Sequence, residues 1–171
     1  MPPGLHAALE SAARAAGVSL NEYCVRRLAA AGTGQGDGDA AALVSRAAAI
    51  AGDGLTGVLL HGSWARGEAT PASDVDALVV VEPRVALRRA LYRAWDEHPV
   101  RWQGRRVDPH FVHPPGAGLS GLWAEAAVDG QVLFDRDGRL PALLARVRRA
   151  IAEGRLARRT VHGQPYWAEV V

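Results

Sequence analysis

Cysteine is almost missing from this chain of 171 residues: Cys24 is the only one. One thiol excludes an intramolecular disulfide framework and any zinc site built on cysteines, and it points to a reducing, cytoplasmic setting. Lysine is absent altogether, and all 20 basic side chains are arginine. A lysine nucleophile and the lysine of a phosphate loop are therefore excluded. No GxxxxGK occurs, and no GxGxxG opens a helix. No apolar run approaches the ~20 residues that a membrane-spanning helix needs. The opening "MPPGLHAALESAARAAG" has no basic segment leading into an apolar one, so no secretory signal is expected. The two signs of charge nearly balance, with 20 basic against 18 acidic side chains. A net +2 does not by itself indicate a nucleic-acid partner.

What is present is a core. Apolar residues make up 49% of the chain, and the length suits one domain with a small appendage. Residues 4–31 carry Leu5, Leu9, Ala12, Ala13 and Ala16, then Val18, Leu20, Val25 and Leu28, at helical spacing. Gly17 is a natural helix stop, and Ser19 with Glu22 forms a capping-box start, so two short helices are predicted over 1–31. "AGTGQGDGD" reads as a flexible linker, placing a boundary over 32–39.

Over 40–171, helix and strand patterns alternate. "DAAALVSRAAAIAG" predicts a helix, "TGVLLHG" and "DVDALVVVE" strands, and "RVALRRALYRAWDEH" a helix following Pro83. "RRVDPHFV" predicts a third strand, "SGLWAEAAVDG" a short helix, and "QVLFDRDG" a strand and turn. "PALLARVRRAIAEG" predicts a helix opened by proline and closed at Gly154, before a tail hairpin around "HGQP".

The chemistry concentrates in "LLHGSWARGEATPASDVDALVVV". Asp74 and Asp76 are alternate residues of a strand, with Cα atoms roughly 6.5 Å apart and side chains on one side. Val75 and Ala77 then face the core. Two carboxylates so close repel unless a cation lies between them. Mg²⁺ suits the position, because it takes carboxylate oxygens together with substrate phosphates. Asp108, on the neighbouring "RRVDPHFV" strand, is a third carboxylate for a two-metal clamp. Gly62 and Ser63 end the preceding strand. Glycine there allows close approach of a phosphate to backbone N–H groups, and the serine hydroxyl adds a donor. Arg66 is placed to add charge-assisted bonds, or to anchor the loop instead.

"GSWARGEATPASDVDALVV" resembles the signature of minimal nucleotidyltransferases in the DNA polymerase β-like superfamily. The shared elements are Gly-Ser, then Ala-Arg-Gly, then Ser-Asp-x-Asp, and a later single carboxylate on a strand. The resemblance implies an α+β fold, a mixed sheet with flanking helices. It also implies two Mg²⁺ ions and transfer of a nucleoside monophosphate, AMP from ATP or the equivalent from another triphosphate. Carried onto this chain, Asp74, Asp76 and Asp108 become metal-binding and catalytic, while Gly62, Ser63, Arg66 and Ser73 become nucleotide-binding. The acceptor hydroxyl belongs to a protein, as in family members that modify a cognate toxin, or to a small molecule such as an aminoglycoside. The other reading is an antitoxin-type regulator that binds DNA or a partner and uses the domain to sense nucleotide.

The segment "PPGLHAALESAARAAGVSLNEYCVRRLAA" is similar to the two helices of a ribbon-helix-helix module of the HicB antitoxin type. The DNA-reading strand of that family precedes "PPxLH", and here only Met1 does. The expectation is no specific DNA binding by this chain, and a start codon upstream of Met1. The stripe Leu9, Val18, Leu20, Val25 and Leu28 would then pack on the catalytic domain, a second copy of the chain, or a partner.

Other residues read more simply. His110 and His113 are expected to be surface or hydrogen-bonded histidines. Arg146, Arg148, Arg149, Arg155, Arg158 and Arg159 are expected on a solvated face opposite Leu143, Leu144, Val147 and Ile151. Trp95, Trp102, Trp123 and Trp167 read as packing residues.

Overall fold

The computed structural model describes residues 10, 13–14, 19–20, 37–116, 118, 120–162 and 164–170. The chain divides into two compact units, Met1–Gly38 and Asp39–Val171. In the first unit, Glu10, Ala13, Arg14 and Leu20 have helical backbone, and Arg14 pairs with Glu10 one turn back at 3.8 Å. The Gly17 stop, the Ser19–Glu22 capping box, most of the apolar stripe and residues 32–36 of the linker lie outside the described residues. No helix among the described residues is long and apolar enough to cross a membrane.

The second unit is built on a mixed sheet. In chain order the elements from Asp37 onward are α1 (Asp37–Ala51), β1 (Leu55–His61), the one-turn helix α2 (Gly62–Arg66) and β2 (Val75–Val81). Then follow α3 (Arg89–Glu97), β3 (Arg101–Trp102), β4 (Arg105–Val112), α4 (Gly121–Asp129) and β5 (Gln131–Asp135). The chain closes with α5 (Leu140–Ala152), β6 (Leu156–Val161) and β7 (Gln164–Glu169). The sheet order is β3-β4-β2-β1-β5, with β6 and β7 forming a separate hairpin. β2 and β4 run parallel, while the β1–β2, β1–β5 and β3–β4 pairs are antiparallel. This is the α+β, polymerase β-like arrangement of a mixed sheet with flanking helices.

The central strands are apolar almost throughout because both of their faces are covered. One face carries Val58, Leu60, Val75, Ala77, Val79 and Val81 against Leu43 and Ala47 of α1 and Trp95 of α3. The opposite face carries Leu59, Leu78 and Val80 against Trp123 and Ala127 of α4 and Leu144 and Val147 of α5. Burying each such aliphatic side chain contributes about 1.5–3 kcal/mol. Gly57 lies where α5 comes closest, since a β-carbon there would meet Leu140 Cδ1 at 2.2 Å. The first turn of α5 is held by Asp135, whose two oxygens accept from the backbone N–H groups of Arg139 (3.2 Å) and Leu140 (3.1 Å). A carboxylate at that end satisfies free donors and complements the helix dipole.

Three local features differ from the sequence reading. The helix expected from Arg84 begins at Arg89. Residues after Pro83 form a turn in which the Val85 N–H donates to the Glu82 carbonyl at 2.9 Å. The Gly62–Ser63 turn is the start of a full helical turn, closed at Gly67, whose φ is +76°. β3 was not anticipated. It pairs with β4 through Gln103 and Gly104, both at positive φ (49° and 79°), the geometry of a tight two-residue hairpin.

Candidate active site

The parity of the strands decides what meets at the site. Along β2, Val75, Ala77 and Val79 face α1 and α3, which turns Asp76 to the side carrying Leu78 and Val80. In parallel β4, Val107 and Phe111 take the α1/α3 side, leaving Asp108 and His110 beside Asp76. The register is direct: Asp76 pairs with Asp108, and on its other flank with His61 of β1.

The side chains close on one another. His110 Nε2 lies 3.5 Å from Asp76 Oδ1 and 4.0 Å from Asp108 Oδ2. One ligand atom from each of Asp76, Asp108 and His110 falls within 4.8 Å of the others. Two oxygens and one imidazole nitrogen on an open face fit a divalent cation that keeps further positions for substrate oxygens. The His110 imidazole holds the Asp76 carboxyl below its ordinary range, against the opposing effect of burial. The same contact raises His110. Asp74 is exposed, one residue before β2 and outside this trio.

His61 lies at the end of β1, buried at 6% exposure, with its ring 5.6 Å from that of His110. Its Nε2 has no hydrogen-bond partner, and burial lowers its basicity. Gly62 follows at φ +77°, and a β-carbon on it would meet Asp76 Oδ2 at 2.3 Å. The glycine is thus required by the carboxylate as well as by the turn. Ser63 follows it in the first turn of α2, and its carbonyl accepts from the Glu68 N–H at 2.9 Å.

Arg66 is surrounded by carboxylates. Its Nε donates to Glu68 at 2.7 Å, and one terminal nitrogen lies 3.4 Å from Asp129 and 3.6 Å from Glu125. These contacts tie α2 to α4, and the bond to Glu68 comes first in raising the arginine's pKa. Burial pushes the Asp129 carboxyl up, with Arg66 opposing. Glu125 also accepts from Trp167 Nε1 of β7 at 2.9 Å. Ser73 closes the loop before Asp74: its Oγ accepts from the Thr70 N–H and meets Thr70 Oγ1, each at 3.0 Å.

One contributor went unread in the sequence, and a second, His110, was read only as a surface or hydrogen-bonded histidine. Arg105 holds the same loop onto β4, donating to the Thr70 carbonyl and, at 3.1 Å, to the Ser73 carbonyl. His110 reaches the acids, whereas His113 turns away to the Val85 carbonyl at 2.8 Å. The period of two from Asp108 to His110 was the available signal. A cleft of about 380 Å³, lined by Thr56, Val80, Pro114, Leu140 and Arg146 among others, opens at the other end of the strands and shares no residue with this site.

No curated protein matches the chain in sequence. Among solved structures it is similar to a toxin–antitoxin crystallised with AMP-PNP, at 15% identity and a TM-score of 0.46, over 66% of this chain and 86% of that one. It is also similar to a complex of tri-AMPylated Shewanella oneidensis HEPN toxin with MNT antitoxin, at 11% identity and a TM-score of 0.47, over 71% of this chain and 90% of that one. Residues 49–114, from the end of α1 through β4, match the model of the nucleotidyltransferase domain, and the chain accordingly carries a nucleotidyltransferase domain and is a transferase.

Proposed function

We propose that this chain transfers a nucleoside monophosphate, AMP from ATP, to a hydroxyl group in a Mg²⁺-dependent reaction. The observation that carries the reading is the pairing of Asp76 with Asp108 across parallel strands, with the Gly62 turn pressed against the Asp76 carboxylate. Asp76 and Asp108 would hold the cation, with Asp74 at the strand entrance completing a second position. Bound there, the ion would neutralise charge on the phosphates and lower the pKa of a coordinated hydroxyl.

The chain's own groups do the rest. The amides of Gly62 and Ser63 and the serine hydroxyl would receive the phosphates, with Ser73 and Arg66 shaping the loop around them. Asp108 would accept the proton of the acceptor hydroxyl as its oxygen bonds to the α-phosphorus and pyrophosphate leaves. The acceptor is a protein or a small molecule. The likeness of residues 1–31 to antitoxin helices favours a protein, the toxin of a toxin–antitoxin pair.

The test is incubation with labelled ATP, Mg²⁺ and candidate acceptors, followed by mass spectrometry. One added nucleoside monophosphate on an acceptor, with release of pyrophosphate, is expected. Binding of ATP with no transfer to any acceptor would favour the nucleotide-sensing regulator.

A further inference from the structure

We infer that His110 is a direct ligand of the cation held by Asp76 and Asp108, and that its nitrogen shifts the site's preference from Mg²⁺ towards Mn²⁺. The inference rests on the reading above, that a divalent cation sits at these two carboxylates. It goes further by naming a third protein ligand and the class of metal that such a ligand selects.

The argument begins with β4. Alternate residues of a strand share a face, so Asp108 and His110 must project to the same side. β2 is the parallel neighbour, and Asp76 lies opposite Asp108. His110 is therefore diagonal to Asp76 across the sheet, within reach of its oxygens. The imidazole does not close on one carboxylate. Nε2 stands 3.5 Å from Asp76 Oδ1 and 4.0 Å from Asp108 Oδ2, both beyond the ~2.7–2.9 Å of a charge-assisted hydrogen bond. Those separations are ones that ligands of a common ion occupy. With bonds of about 2.1 Å, adjacent octahedral ligands are about 3 Å apart and opposite ones about 4.2 Å. The trio's upper spacing of 4.8 Å needs only a small inward movement.

Exposure agrees. The side chains of His110, Asp108 and Asp76 are 40%, 53% and 34% exposed, so the ion would be held from one side and open to substrate oxygens on the other. The neighbouring His61 is a different case, because it is buried against the sheet and stands outside the trio.

A ligand set of two carboxylates and an imidazole has a chemical consequence. Mg²⁺ is a hard cation that favours oxygen and retains water. Imidazole nitrogen suits first-row transition ions better than Mg²⁺, and among those ions Mn²⁺ stays closest to Mg²⁺ in suiting carboxylate and water; it is therefore the ion that keeps both acids while tolerating the nitrogen. His110 should therefore contribute more to Mn²⁺ binding than to Mg²⁺ binding.

The experiment measures metal binding to the whole chain, without turnover. Mn²⁺ and Mg²⁺ affinities are determined by calorimetry for wild type, His110→Ala, His61→Phe and Asp76→Asn. Pulsed electron paramagnetic resonance of the Mn²⁺ complex then reports directly bound nitrogen. Circular dichroism establishes that each variant is folded, and His110→Asn provides a second small substitution at the exposed ring. The expected result is nitrogen coupling in wild type and His61→Phe but not in either His110 variant. The Mn²⁺-over-Mg²⁺ preference should fall by roughly tenfold or more with His110, within the range seen for groups that support a metal site. Absence of nitrogen coupling in wild type, with binding still abolished by Asp76→Asn, would overturn the His110 assignment and leave the carboxylate site standing. Coupling that survives His110→Ala and vanishes in His61→Phe would overturn it in favour of the buried ring. Unchanged Mn²⁺ affinity in Asp76→Asn would refute the metal reading of the site as a whole.

Discussion

Replacing Gly62 by alanine puts a methyl group 2.3 Å from Asp76 Oδ2, 3.2 Å from its Cγ and 3.4 Å from its Cβ. Ordinary contact is about 3.5–4.0 Å, so the carboxylate must move by roughly 1 Å or more. The carboxylate is the free end of a side chain and can rotate, so the sheet stays and the site is what changes. A displacement of that size at a reacting centre costs about 100-fold in rate. The backbone adds its own cost, because φ is +77° at this position and a side chain there is disfavoured by about 1–2 kcal/mol.

Gly67 separates the two effects. Its φ is +76°, nearly the same, but a β-carbon on it meets nothing within 4 Å. Gly62→Ala and Gly67→Ala should therefore lose similar stability, a fall in melting temperature of roughly 3–10 °C. Only Gly62→Ala should lose transfer, by about 100-fold, together with tight Mn²⁺ binding. Thermal melts, calorimetry and the mass-spectrometric transfer assay cover the three quantities. If Gly67→Ala loses as much transfer as Gly62→Ala, backbone strain is the cause and the argument from the Asp76 contact fails.

Three further outcomes are expected. Asp74→Asn and Asp76→Asn should each abolish transfer while the protein stays folded, since Asp74 is exposed and Asp76 part-exposed at the strand entrance, with the Asp76 variant giving up only its contact with His110; near wild-type transfer by either would end the two-metal reading. Asp108→Ala should lower turnover far more than ATP affinity, as expected for a group on the acceptor side, and equal losses in both would make it a nucleotide-binding or folding residue. His61 gives a pH dependence. Burial lowers its folded pKa below the ordinary 6.5, so the stability linked to its neutral form is full above pH 6.5 and is lost as pH falls through the folded value. His110, raised by Asp76, works in the opposite sense: its contribution is full below pH 6.5 and is lost as pH rises through its folded value. Comparing wild type with His61→Phe isolates the first effect. Urea denaturation at neutral and mildly acid pH should show the variant gaining on wild type as pH falls, and a pH-independent difference would remove His61 as the cause.

Much of the catalytic unit is written locally. "LTGVLLH" and "VDALVVV" are apolar runs of strand length, and such runs need covering on both faces, which is what a sheet between two helical layers provides. Asp76 stands out because nothing else in those runs is acidic, and Asp74 stands one residue before the second of them. Asp108 is visible for the same reason, as one acid within a strand. These features depend on neighbours one to four residues away, and hydrophobic periodicity reports them directly.

The contacts that only folding creates were of another kind. Arg66 looks like a phosphate ligand in its motif, but α4 brings Glu125 and Asp129 to it from about sixty residues further along the chain. The start of α3 at Arg89 depends on the turn after Pro83, which forms where Glu82 is tied to Arg84 and Arg136. His110 lies on the same strand as Asp108, yet its meeting with Asp76 requires β2 and β4 to be parallel neighbours in one particular register. Sequence by itself determined the longer strands and the acidic positions, because these follow from spacing along the chain. The tertiary structure alone decided which charges meet, because a one-residue slip between β2 and β4 would turn Asp108 and His110 to the opposite face from Asp76.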